Sequence, residues 1–119
     1  MCQGFKTLNS PDRKDSYTSE TESCDDKLTE GWYRFEGEAG TRMRTTCVEK
    51  YRCGTSFPGW LNGNHPTVAD GEVDRQVCFH TNGGCCGKDF KIRVKNCTSY
   101  YIYELLPTQG CPQRYCGTD

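Results

Sequence analysis

The sequence predicts a small all-β, disulfide-rich fold, with about five to six short strands, long irregular loops and five disulfides. Three observations lead there. Ten cysteines occur in 119 residues, a density that marks stapled extracellular scaffolds. Only 34% of residues are hydrophobic against 26% charged, so apolar burial alone leaves little margin over chain entropy of roughly 1–2 kcal/mol per ordered residue. Finally, the apolar positions that do recur follow a period of two, and no stretch sustains three turns of helical period.

The length suits one domain, residues 1–119. The cysteines, at 2, 24, 47, 53, 78, 85, 86, 97, 111 and 116, form no Cys-x-x-Cys pair, and neither histidine stands at zinc-ligand spacing. Disulfides are therefore expected rather than metal, which places the chain in an oxidising, extracellular compartment. No apolar run reaches the roughly 20 residues of a membrane span, and no leader precedes Cys2, so Met1 suggests a domain excised from a longer secreted or membrane-anchored parent. Residues 1–40 carry 5 basic and 9 acidic side chains and residues 41–119 carry 10 and 7. Neither part has the charge of a nucleic-acid binder.

Residues 1–23 are polar and expected to be an extended arm with little to bury, tethered through Cys2 and Cys24. Gly31 to Gly37 alternates, Tyr33 and Phe35 against Trp32 and Arg34, and reads as a strand. Thr41 to Val48 is expected to form a second, joined to the first by a short turn. Cys53 to Pro66 holds three glycines, two prolines, a histidine and no charge, so it reads as an irregular loop whose Phe57, Trp60 and Leu61 need a core. Glu72 to Thr81 reads as a strand after the Ala69-Asp70-Gly71 turn, and Asn82-Gly83-Gly84 turns the chain again. The adjacent Cys85 and Cys86 are expected to bridge different segments, since joining each other forces strained geometry. In Asp89 to Cys97, Phe90, Ile92 and Val94 point one way and Lys91, Arg93 and Lys95 the other, a half-buried strand with a basic outer face. Tyr100 to Leu106 is apolar on both faces and is expected to be a central strand stopped by Pro107. Gly110 to Asp119 shows cysteines and turn formers alone.

Taken together, Gly31-Trp32-Tyr33-Arg34-Phe35, Arg42-Met43, Cys53-Gly54-Thr55, Pro58-Gly59-Trp60-Leu61-Asn62-Gly63, His65-Pro66, Cys85-Cys86 and Tyr100 to Leu105 resemble the eight- to ten-cysteine domain family of uromodulin and the pancreatic secretory granule major glycoprotein. The resemblance spans Cys2 to Cys116. It implies an extracellular module of mosaic proteins and the pairing Cys2–Cys97, Cys24–Cys111, Cys47–Cys85, Cys53–Cys116 and Cys78–Cys86. Sequence alone does not select among the roughly nine hundred pairings of ten cysteines. In those relatives the module presents glycan as a decoy for a bacterial adhesin. The asparagine matching their acceptor is Asn62, but Asn64 stands where the acceptor threonine would be, so that signature is missing here. The acceptor signature that is present is Asn96-Cys97-Thr98, against the plainer reading of a polar strand end.

The expected function is non-enzymatic recognition of an extracellular protein or glycan, by a domain that is monomeric in isolation and needs no cofactor. Candidate contacts are Trp60, Asn62 and His65 in the aperiodic stretch and Lys91, Arg93 and Lys95, with Lys88, on the basic face, which suits sulfated glycan. A lectin is the alternative, with calcium near Asp70, Glu72 and Asp74, although these lack a full ligand set. A hydrolase built on Glu36, Glu38 or Asp70 comes third, unsupported by any nucleophile motif.

Overall fold

A computed structural model describes residues 2–18 and 22–119. Position 1 and positions 19–21 of the expected N-terminal arm lie outside the described residues. Nine strands occur among the described residues: β1 (Lys6–Leu8), β2 (Gly31–Phe35), β3 (Arg42–Met43), β4 (Phe57–Asn62), β5 (Glu72–Thr81), β6 (Gly84–Asn96), β7 (Tyr101–Leu105), β8 (Gln113–Tyr115) and β9 (Gly117–Thr118). The helical content described is three single 3-10 turns, at Pro11–Arg13, Gly37–Ala39 and Val68–Asp70, and no described helix is long and apolar enough to cross a membrane.

Seven strands form one mixed sheet in the order β1-β2-β7-β6-β5-β4-β8, and β3 pairs with β9 in a second, small ribbon. The backbone of the sheet is the β5–β6 hairpin, in antiparallel register from Glu72↔Lys95 to Thr81↔Gly84. Alternation helps to set that register, because a slip of one residue would turn Val77, Phe79, Ile92 and Val94 away from the core they share. All four are buried. They meet Tyr33, Phe35, Leu61, Tyr103, Leu105 and Tyr115 in the main core, with Met43 and Ala39 contributed from outside the large sheet. A satellite core gathers Val48, Trp60 and the sulfurs of Cys53, Cys78 and Cys116. Five bridges, Cys2–Cys97, Cys24–Cys111, Cys47–Cys85, Cys53–Cys116 and Cys78–Cys86, fasten the loops to this frame.

Several expectations are corrected. The Cys53 to Pro66 stretch is not irregular throughout: Phe57–Asn62 is an interior strand, parallel to β8 over Phe57–Gly59 and antiparallel to β5 over Gly59–Asn62. Pro58 fits because it lies where β4 pairs with β8 alone, so its missing N–H costs no ladder bond to β5. Gly59 is required because Phe79 packs over it, and a Cβ there would stand 2.6 Å from the ring. Thr41 to Val48 supplies only the two residues of β3, which pair with β9 rather than β2, since the Gly37–Ala39 turn and the left-handed Gly40 redirect the chain. The arm buries more than expected: β1 runs parallel to β2, Leu8 enters the core, and Arg13 is buried. Gly110 to Asp119 holds two strands with Gln113 to Gly117 all buried. The strand number therefore exceeds the five to six expected, and apart from the six-residue β4 the added strands are two or three residues long.

Candidate functional site

Among the described residues, one open surface cleft lies at the β6–β7 turn. Asn96, the last residue of β6, faces Tyr101 across the pair. Cys97 donates its N–H to Tyr100 O at 2.7 Å, Ser99 donates to Cys97 O at 2.9 Å, and Thr98 takes a left-handed backbone with φ 77°. Asn96 Oδ1 accepts the Thr98 N–H at 2.7 Å, and its Nδ2 donates to the buried Pro66 carbonyl at 3.0 Å. This turn, the exposed Thr41 and the exposed Arg42 that opens β3 enclose an open cleft of about 240 Å³. The tyrosines in its wall have occupied faces: Arg34 sits 4.0 Å over Tyr100, Arg42 5.1 Å over Tyr101, and His65 stacks on Tyr101 at 4.2 Å. What remains available is largely polar, hydroxyls and a guanidinium.

His65 is half-buried, with Nε2 2.7 Å from the Tyr103 hydroxyl, which also accepts the Met43 N–H at 2.9 Å. Burial first, then the nearby Arg42 and Arg75, pushes its pKa down to about 4. The ring is therefore neutral at physiological pH and works as a strut between the β4–β5 connection and β7. Trp60 is corrected as a candidate contact: it is only 8% exposed, and its indole N–H donates to Cys85 O at 2.8 Å, clamping β4 to the start of β6. Asn62 is exposed and donates to Gln76 Oε1 at 2.8 Å.

The outer face of β6 is corrected from basic to mixed. Arg93, 48% exposed, holds Glu104 through two hydrogen bonds of 2.9 and 2.8 Å and Glu72 through a third of 2.8 Å. Lys91 lies 3.7 Å from Asp74, and Lys95 is half-buried on the same face. Register explains the change, because Asp74↔Arg93, Arg93↔Glu104 and Glu72↔Lys95 bring carboxylates of β5 and β7 onto the face that carries these cations. Of the carboxylates considered for calcium, Asp70 accepts the Thr67 N–H at 2.9 Å, Glu72 lies 2.8 Å from Arg93, and Asp74 lies 3.7 Å from Lys91.

His80 stands beside the Cys47–Cys85 bridge, Nδ1 3.5 Å from Cys47 Sγ and 2.7 Å from Val48 O. These are the three side chains among the described residues that cluster at metal-ligand distances. With both sulfurs bridged they offer no thiolates. Sequence reasoning missed the contribution of Thr41 and Arg42 to the β6–β7 cleft and that of Pro66 to anchoring Asn96. Their approach depends on the β3–β9 ribbon and the β4–β5 connection, neither of which has a local signal.

The uromodulin-like cysteine-rich domain family matches residues 33–117. Over 97% of this chain, the sequence is 45% identical to pancreatic secretory granule membrane major glycoprotein GP2 of Canis lupus familiaris and 41% identical to that of Homo sapiens. It is 42% identical to uromodulin of Mus musculus across the same share. The chain spans 23%, 21% and 18% of those three relatives' lengths. Five disulfides and this kinship make it an extracellular structural or interaction module. On its cysteine frame and its sequence, the chain belongs to the uromodulin-like domain family.

Proposed function

We propose that this domain is a non-enzymatic recognition module that engages a protein or glycan partner along the projecting β5–β6 hairpin. One observation carries the reading. β6 runs from Gly84 to Asn96 while β7 covers only Arg93 to Asn96, so one edge of the hairpin stands open from Gly84 to Ile92 among the described residues. Residues 84–89 and Lys91 are exposed. An unpaired edge is a template for partner backbone, and Lys88 and Lys91 guard this one against indiscriminate pairing. A non-enzymatic role agrees with the side chains that catalysis would need: His65 is neutral and held by Tyr103, His80 is tied to Val48, and all ten cysteines are bridged.

The test is binding of the purified domain to a glycan array, with and without calcium, and to a panel of purified extracellular proteins. Salt-sensitive binding weakened by Lys88→Glu with Lys91→Glu is the expected outcome. Discrete sugar hits that require calcium and survive those changes would favour a lectin, and turnover of glycoside substrates would overturn the non-enzymatic reading.

A further inference from the structure

The β6–β7 turn carries two features that folding alone does not call for. The first is Thr98, a β-branched residue whose φ of 77° lies in the left-handed region. That region favours glycine or asparagine and is an outlier for a β-branched side chain. The Thr98 side chain is exposed, so packing does not compensate the strain. Strain of this kind points to a use for the side chain itself. The second is the amide of Asn96. A carboxamide has two N–H donors, and among the described residues the acceptor of Asn96 Nδ2 is Pro66 O. One hydrogen anchors the turn and the other is left over, on a residue that lines the cleft with Thr41, Arg42, Ser99 and Tyr100.

We propose that Asn96 is an N-glycan acceptor and that the cleft receives the first N-acetylglucosamine of the glycan. The hydroxyl two residues after the asparagine is what the acceptor signature requires, which accounts for a threonine at a position suited to glycine. In the transfer, Asn96 Nδ2 forms a bond to C1 of the reducing-end N-acetylglucosamine of a lipid-pyrophosphate-linked oligosaccharide. The C1–O bond breaks, the lipid pyrophosphate leaves with the electron pair, and one Nδ2 proton passes to a base of the oligosaccharyltransferase. Donor and enzyme belong to the secretory route that a disulfide-bonded extracellular chain takes. The acceptor nitrogen is most accessible before the turn closes, since the folded state ties Cys97 to Cys2 and Nδ2 to Pro66. The glycosylated nitrogen keeps one hydrogen, as many as the Pro66 bond uses, and Oδ1 is untouched, so the modification is compatible with the hydrogen bonds of the turn. The cleft, at about 240 Å³, is smaller than the roughly 300–1,000 Å³ of drug-sized ligand sites, room for a single sugar. Its hydroxyls and the Arg42 guanidinium suit sugar oxygens. This inference is independent of the hairpin edge and stands or falls separately.

The test is expression of the chain through the secretory pathway of eukaryotic cells, with mass spectrometry of the Asn96 peptide before and after peptide-N-glycosidase. The wild type is expected to carry a releasable glycan, Thr98→Ser to retain it and Thr98→Ala to lose it. Thr98→Gly is expected to lose the glycan while raising the melting temperature of unglycosylated protein, which separates the acceptor role from a folding role. Release under native conditions is expected to be at least tenfold slower than after denaturation, and faster again in Arg42→Ala. An unmodified Asn96 in secreted wild type overturns the acceptor assignment, and equal native and denatured release rates overturn the seating in the cleft.

Discussion

Replacing Asp25 by asparagine tests whether the N-terminal segment and the C-terminal strand are welded by charge. The Asp25 carboxylate lies in the interior, with Oδ1 2.6 Å from Arg13 Nη2 and Oδ2 accepting both Arg13 Nη1 at 2.8 Å and the Tyr115 N–H at 2.9 Å. Arg13 Nη1 also donates to Tyr115 O at 3.1 Å. The Asp25 main chain bonds Gln113 O and the Thr108 N–H at 2.9 and 3.0 Å. The side chains are 7% and 3% exposed, so Asp25→Asn leaves an uncompensated guanidinium in a site that water scarcely reaches. Removing one partner of such a pair costs about 3–5 kcal/mol. For a chain of this size that corresponds to a fall of roughly 10–20 °C in melting temperature. The assay is guanidinium unfolding at neutral pH without reductant, followed by tryptophan fluorescence, so that the five bridges constrain the unfolded chain equally in both proteins. Arg13→Gln and the Arg13→Gln/Asp25→Asn pair complete a double-mutant cycle. A loss below about 1 kcal/mol, the range of exposed ion pairs, would refute the weld.

Gly59→Ala is expected to destabilise by about 1–3 kcal/mol by overpacking, because the new methyl would meet three atoms of the fully buried Phe79 ring at 2.6–3.1 Å; the same unfolding measurement reads it. His65 gives stability a pH slope. Its pKa is about 4 in the fold against about 6.5 unfolded, so as pH falls the unfolded chain takes the proton first. Its contribution is complete above about pH 6.5 and is lost from there down to about pH 4, and melting curves of His65→Gln should be flatter than wild type across that window. Arg93→Ala should leave the melting temperature nearly unchanged despite removing three hydrogen bonds, since all are exposed to solvent. Under graded reductant with differential alkylation, the bridge at exposed Cys85 should open before Cys53–Cys116, whose cysteines are both completely buried, because thiolate attack needs access.

What could be read from the sequence follows the distance over which each signal acts. β5 and β6 were legible because alternation is local, β7 because a continuous apolar run ending at a proline is too, and each strand is at least five residues long. β1 and β8 were not: each has three residues and pairs in parallel with a strand far away in sequence, so nothing nearby announces it. β4 was misread for a sharper reason. Proline and glycine break strands on average, yet whether they do so at 58 and 59 depends on β5 not yet pairing at Pro58 and on Phe79 covering Gly59, facts that exist only once the sheet is assembled. The cations of β6 show the same division: alternation puts Lys91 and Arg93 outward, but only register places Asp74, Glu72 and Glu104 next to them. Buried Arg13 is the extreme case, a charged residue in a polar segment that composition assigns to water. It lies inside because this chain, short of apolar side chains, closes the seam between its N-terminal segment and β8 with a neutralised polar network rather than with hydrocarbon. Such a seam requires every partner to be present. It therefore leaves no hydrophobic pattern in the sequence, and substitution at either end of the ion pair should be felt across the whole seam.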